Sequence, residues 1–224
     1  EFVPGAGKIN SIEQFKGGQS NPTYEIVTES KNLVLRRKPP GKLLPSAHAV
    51  DREYKVITAL YETDVPVPKT YGLCEDDDVA GTAFFVMDFL DGDLFWDPMI
   101  PSLSNQDRTE IYQNKNKTLA LLHGVDYKKI GLEDYGKPGN YVARQVSRWS
   151  KQYRASETDD IEAMNNLIDW LPKNIPDDDE TSIVHGDYRL DNMILKNNQV
   201  MGILDWELST LGHPIADFSY HCLS

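Results

Sequence analysis

The chain has 224 residues, enough for one large domain or two small lobes whose core needs no disulfide staples. Its 23 basic and 35 acidic residues give a net charge of −12, which argues against generic nucleic-acid binding, a process driven by basic surfaces releasing counter-ions. No apolar run approaches the ~20 residues of a membrane span and no segment reads as a signal peptide. The only cysteines, Cys74 and Cys222, fit a reducing compartment, so the expected location is intracellular and cytoplasmic.

In chain order, the first ninety residues read mostly as strands. Tyr24–Val27 and Leu33–Leu35 are short β-prone runs joined by the polar connection Thr28–Asn32, and Pro39-Pro40-Gly41 ends the second. A helix is predicted from Ser46, as N-cap, to Tyr61, with Val50, Tyr54, Ile57 and Tyr61 on one apolar face. Val65–Pro68 reads as extended and Thr82–Phe89 as a buried strand.

After Leu90-Asp91-Gly92 the pattern turns helical. Ser104 caps a helix with Asp107 in its first turn, and His123-Gly124 closes it. Further helices are expected over about 140–154 and 159–173. Strands return at Ser182–His185, Met193–Lys196 and Val200–Leu204, with Lys196–Gln199 as the turn between the last two. The layout is a β-rich N-terminal lobe over residues 1–90 and a mainly helical C-terminal lobe over residues 91–224.

Charge is uneven. The acidic clusters Glu75–Asp78 and Asp177–Glu180 read as solvated loop tips. Residues 31–42 carry Lys31, Arg36, Arg37, Lys38 and Lys42 without an acid, which suits either an anion site or an exposed strand face.

Several motifs fail on inspection. Gly5-Ala6-Gly7-Lys8 lacks both the upstream glycine and the Ser or Thr of a phosphate-binding loop. The five histidines have no zinc-type spacing. One constellation stands. His185-Gly186-Asp187 is followed five positions later by Asn192, and Asp205 ends the strand thirteen residues beyond. Phosphoryl transfer calls for a carboxylate to orient a hydroxyl and for two oxygen ligands to hold magnesium on nucleotide phosphates.

The segments His185–Asn192 and Ile203–Glu207 resemble the aminoglycoside phosphotransferase and choline kinase superfamily. Phe15–Tyr24 resembles its nucleotide-covering loop. Val34–Leu44, Arg52-Glu53-Tyr54 and Leu211–Asp217 are similar to a narrower branch that accompanies acyl-CoA dehydrogenases. The resemblance implies an α+β, protein-kinase-like bilobal fold and ATP- and magnesium-dependent phosphoryl transfer to the hydroxyl of a small molecule. It assigns Asp187 as the catalytic base, Arg189 to the moving phosphoryl group, and Asn192 and Asp205 to magnesium.

Nucleotide contacts are implied for Gly17, Gly18, Gln19, Ser20 and Asn21, for a strand cation paired with Glu53, and for the hinge Asp88-Phe89-Leu90. The superfamily's cation is usually lysine. Here Arg36 and Arg37 compete, alternation turns only one inward, and Arg36 is favoured, with Lys38 on its face. His185 is expected to brace the loop and Asp217 to anchor it. The branch suggests a hydroxyacyl acceptor, with Lys38, Lys42 and Arg148 as candidate cations, and an acyl-CoA dehydrogenase domain or protein as partner. The superfamily normally continues past the position of Ser224, so a missing C-terminal part is expected. The rival reading is a non-catalytic kinase-like module that binds a nucleotide or a partner.

Overall fold

The computed structural model describes residues 3–16, 21–41 and 48–223. Five antiparallel strands form the N-terminal sheet: β1 (Ile9–Gln14), β2 (Thr23–Thr28), β3 (Asn32–Arg37), β4 (Thr70–Cys74) and β5 (Phe84–Asp88), in the order β1-β2-β3-β5-β4. The central strands explain the run Phe84-Phe85-Val86-Met87. Phe84 and Val86 face a small cluster with Ile26, Leu33 and Cys74, while Phe85 and Met87 face the main core, so β5 is apolar on both sides. Thr70–Cys74 was not anticipated, nor was β1, an almost wholly exposed edge strand without alternation.

Helix α1 (Val50–Leu60) covers the main-core face of the sheet, burying Val50, Glu53, Val56, Ile57 and Leu60. Its helix is shorter than expected. It follows Ala49 without a side-chain cap, and Ser46 lies outside the described residues. Tyr61 is half exposed because the buried stripe runs through Leu60. The acidic cluster at residues 75–78 is exposed as expected, but it also winds a short helix, α2 (Asp77–Ala80), capped by Asp76 accepting from the Asp78 N–H at 3.0 Å.

The linker after β5 is stitched to the far hairpin. Asp93 and Leu195 exchange backbone hydrogen bonds at 2.7 and 2.9 Å. Gly92 makes this approach possible, since a Cβ there would meet the Leu195 carbonyl at 2.4 Å. Helix α3 (Asn105–His123) starts as read, with Ser104 Oγ accepting from the Asp107 N–H at 3.1 Å, and ends at Gly124. Helices α4 (Tyr141–Ser156) and α5 (Glu162–Trp170) follow within two or three residues of their expected bounds. Residues 171–173 tighten into a 3₁₀ turn at Pro172.

Four short strands in two pairs build the second half. β6 (Ser182–Val184) pairs with the unforeseen β9 (Thr210–Gly212), and β7 (Met193–Lys196) pairs with β8 (Gln199–Ile203). Asn197 and Asn198 both take positive φ (52° and 61°), the geometry of a two-residue hairpin turn that asparagine tolerates. Helix α6 (Ile215–Leu223), also unforeseen, ends the described chain. Among the described residues no helix is long and apolar enough to cross a membrane.

Candidate active site

The loop after β6 is pinned from behind. Asp217, buried in the first turn of α6, accepts from the backbone N–H of His185 at 2.7 Å and of Gly186 at 2.8 Å, and from His123 Nε2 at 3.1 Å. Gly186 has φ 84° and a Cβ there would meet the Leu208 carbonyl at 2.8 Å, so the turn needs glycine. His185 is fully buried, with Trp206 edge-on at 4.7 Å. Its Nδ1 accepts from the Asp187 N–H at 3.2 Å, so Nε2 carries the proton and donates to the Leu204 carbonyl at 2.9 Å. Both ring nitrogens are committed, which makes His185 a brace between the loop and β8.

Asp187 emerges from this frame. Its Oδ2 accepts from Asn192 Nδ2 at 2.9 Å, and the same NH₂ donates to the Asp187 carbonyl at 2.9 Å. Its Oδ1 pairs with Arg189 Nε at 3.1 Å, while Arg189 Nη2 pairs with Asp191 at 3.0 Å. Arg189 is thus clamped between two carboxylates of its own loop. Burial, and then a hydrogen bond to Asp187, raise the pKa of the Tyr220 hydroxyl on α6. That residue gave no signal in the sequence.

Hairpin register brings the two expected metal ligands together. Met193 pairs with Ile203, and the Leu204 N–H donates to the Asn192 carbonyl at 2.8 Å, so Asn192 and Asp205 flank the open end of β7–β8. Asp205 takes the left-handed conformation, φ 62° and ψ 64°. With its amide nitrogen engaged, Asn192 presents Oδ1. Asp205 has Oδ1 on Arg36 and retains Oδ2. One carbonyl-type and one carboxylate oxygen fit magnesium, which takes few protein ligands beside phosphate oxygens and water. Among the described residues there is no group of three His, Cys, Asp or Glu side chains that would form an all-protein cage.

Arg36 joins the halves. Its Nε pairs with Glu53 Oε2 at 2.8 Å and its Nη2 with Asp205 Oδ1 at 2.5 Å. Arg37 instead donates to Thr82 Oγ1 at 3.1 Å on the opposite face of β3. A lysine ammonium lacks the planar fork needed to hold both carboxylates in this way. Burial works against the Arg36 charge, but Glu53 and Asp205 outweigh it and raise its pKa. Burial pushes the Glu53 carboxyl up to about 7, opposed by Arg36 and helped by Asp205.

The remaining expected nucleotide contacts divide. Gly17, Gly18, Gln19 and Ser20 lie outside the described residues, as does Lys42. Asn21 turns inward, donating to Glu53 Oε1 at 2.7 Å and meeting His48 Nδ1 at 3.0 Å, because a buried amide must be satisfied. In the hinge, the Asp88 N–H is taken by the Lys69 carbonyl and its carboxylate by the Tyr71 hydroxyl at 2.6 Å. Phe89 and Leu90 lie beyond the last ladder pair, Leu33–Asp88. Phe89 also stacks on Phe15, with centroids 6.5 Å apart.

A five-stranded antiparallel sheet with one packed helix, a linker, and a helical lobe carrying this loop and hairpin define an α+β, protein-kinase-like phosphotransferase fold. Residues 11–224 match the model of the phosphotransferase enzyme family, and the chain belongs to that family. It is 49% identical over 94% of its length to mouse acyl-CoA dehydrogenase family member 10, and 47% identical over 95% to human family member 11. It spans only 20% and 28% of those proteins.

Among solved structures, a candidate aminoglycoside phosphotransferase from Ralstonia eutropha JMP134 is 53% identical with a TM-score of 0.90, covering 99% of this chain and 66% of that one. Aminoglycoside phosphotransferase APH(4)-Ia, solved with ADP and hygromycin B, shares the fold at 12% identity and a TM-score of 0.70, covering 96% of this chain and 72% of that one.

Proposed function

We propose that this chain is an ATP- and magnesium-dependent kinase that transfers a γ-phosphoryl group to the alcohol of a small molecule. The observation that carries this reading is the convergence of Arg36, Glu53, Asp205, Asn192 and Asp187 from both halves of the chain through contacts of 2.5–2.9 Å. In this reading Asp187 accepts the acceptor's hydroxyl proton. Asn192 Oδ1 and Asp205 Oδ2 hold magnesium, which supplies charge neutralisation on the phosphates when bound. The linker after residue 90 divides a nucleotide lobe from a catalytic lobe. Phe89 and Leu90 meet the base. Arg189, paired through Nε to Asp187 and through Nη2 to Asp191, sits beside the proposed base with its charge available to the moving phosphoryl group.

The names of the relatives favour a hydroxylated acyl group as acceptor, free or as a thioester, with an acyl-CoA dehydrogenase domain as neighbour. Phosphorylation would turn a poor hydroxyl leaving group into a good one, ready for elimination. The test is magnesium-dependent ATP consumption with hydroxyacyl compounds and aminoglycosides in parallel. Hydroxyacyl stimulation is expected. Aminoglycoside phosphorylation without it would refute the acceptor class, and no turnover with either would refute the kinase reading. One observation favours a non-catalytic nucleotide-binding module instead: the Arg36 guanidinium already commits its Nε to Glu53 and its Nη2 to Asp205. Magnesium–nucleotide binding without any turnover would select that reading.

A further inference from the structure

Arg52 and Glu53 are neighbours on α1, and successive helical residues point about 100° apart. Glu53 faces the sheet and reaches Asp205 through Arg36. Arg52 faces the other way, toward the second half of the chain. Its Nη2 donates to the Tyr135 carbonyl at 2.8 Å and the Ser209 carbonyl at 3.3 Å, and its guanidinium lies 4.3 Å from the centroid of the Tyr135 ring. Tyr135 is 2% exposed. The hydrogen-bond directions follow from proton counting. Ser209 Oγ donates to the Trp206 carbonyl at 2.5 Å, so it accepts from the Tyr135 hydroxyl at 2.6 Å. The Tyr135 oxygen also lies 3.3 Å from the Arg52 carbonyl.

These contacts close a ring. The segment from Asp205 to Ser209 is gripped at its front by Arg36, which Glu53 holds, and at its back by Arg52 and Tyr135. Both grips originate on α1. Between them Asp205 sits at φ 62°, a left-handed conformation that a non-glycine residue keeps only where its surroundings enforce it.

We infer that Arg52, with Tyr135, is a positioning residue that fixes the Asp205–Ser209 segment, and so holds the Asp205 carboxylate in the geometry a nucleotide-bound metal requires. The inference rests on the proposed magnesium–nucleotide site. Outer partners of metal ligands typically change affinity about 10–100-fold when removed.

The test titrates ATP with and without magnesium against wild type, Arg52→Ala and Tyr135→Phe, and follows amide hydrogen exchange of residues 205–209 in the nucleotide-free proteins. Arg52→Ala is expected to weaken magnesium–ATP binding about tenfold or more, to leave metal-free ATP binding within about twofold, and to speed exchange across the segment. Tyr135→Phe, which removes only the hydroxyl, moves both readouts the same way by less, and keeps the test decisive if Arg52→Ala does not fold. A folded variant with lower melting temperature but unchanged magnesium–ATP affinity and segment exchange makes Arg52 a simple brace and overturns the inference. Wild type without magnesium-dependent nucleotide binding overturns the proposed function and this inference together.

Discussion

Lys115, on α3, is 0% exposed, and its Nζ has no hydrogen-bond partner among the described residues. Its ammonium lies 5.5 and 5.7 Å from the ring centroids of Tyr112 and Tyr188, and its own backbone carbonyl accepts from the Tyr188 hydroxyl at 2.7 Å. Burial pulls its pKa down from 10.5 to about 8, with Asp191 and Cys222 opposing. At about 1.4 kcal/mol per tenfold this corresponds to roughly 3 kcal/mol against the charged, folded form. Relaxation and water penetration around the buried group reduce it to about 1–2 kcal/mol.

Lys115→Met keeps the length of the side chain, suits the two rings and needs no partner. It is expected to stabilise the protein at pH 7 by about 1–2 kcal/mol, or roughly 3–6 °C in melting temperature for a chain of this size. The unfolded chain keeps the lysine proton up to about pH 10.5, whereas the folded chain releases it near 8. Wild-type stability therefore gains relative to the variant as pH rises between those values, and most of the difference is gone by about pH 10. Thermal or urea melts of both proteins at pH 7 and pH 10 measure this. Destabilisation by more than about 1 kcal/mol at pH 7 would refute the reasoning and make the ammonium a working partner of Asp191.

Asp187→Asn should lower turnover by about 10²–10⁴ with ATP affinity nearly unchanged, as the proposed role of Asp187 toward the acceptor requires; steady-state kinetics with a responsive acceptor decide it. Asp205→Ala should weaken nucleotide binding only when magnesium is present, and more than Asn192→Ala does, because it removes a charged ligand. Identical metal titrations in Asp205→Ala and wild type would remove Asp205 from the site. Arg36→Ala removes the cation beside the buried Glu53, which then takes up a proton more readily, so destabilisation in denaturant melts should be larger at pH 8 than at pH 6, with Arg36→Lys intermediate because one ammonium replaces a fork that spans two carboxylates.

Local sequence determined what has local causes. The Asn197-Asn198 turn, the Ser104 cap of α3 and the doubly apolar β5 follow from backbone preference and periodicity, so they read directly. The spacing of Asp187, Asn192 and Asp205 is legible because the loop and one hairpin carry all three, and hairpin register does the rest. Elements whose pairing is decided by distant partners did not read. β1 is an exposed edge held by β2, β9 has three residues held by β6, and Thr70–Cys74 is a strand because β5 stands beside it. Alternation left Arg36 and Arg37 as a choice that only two carboxylates far off in sequence resolve, Glu53 on a helix and Asp205 169 positions away. Arg52 was legible only as part of the Arg52-Glu53-Tyr54 resemblance, and nothing in the sequence tied it to Tyr135 and Ser209. The ring through them joins side chains and carbonyls separated by 83 and 157 positions, and such contacts exist only once the two halves have packed.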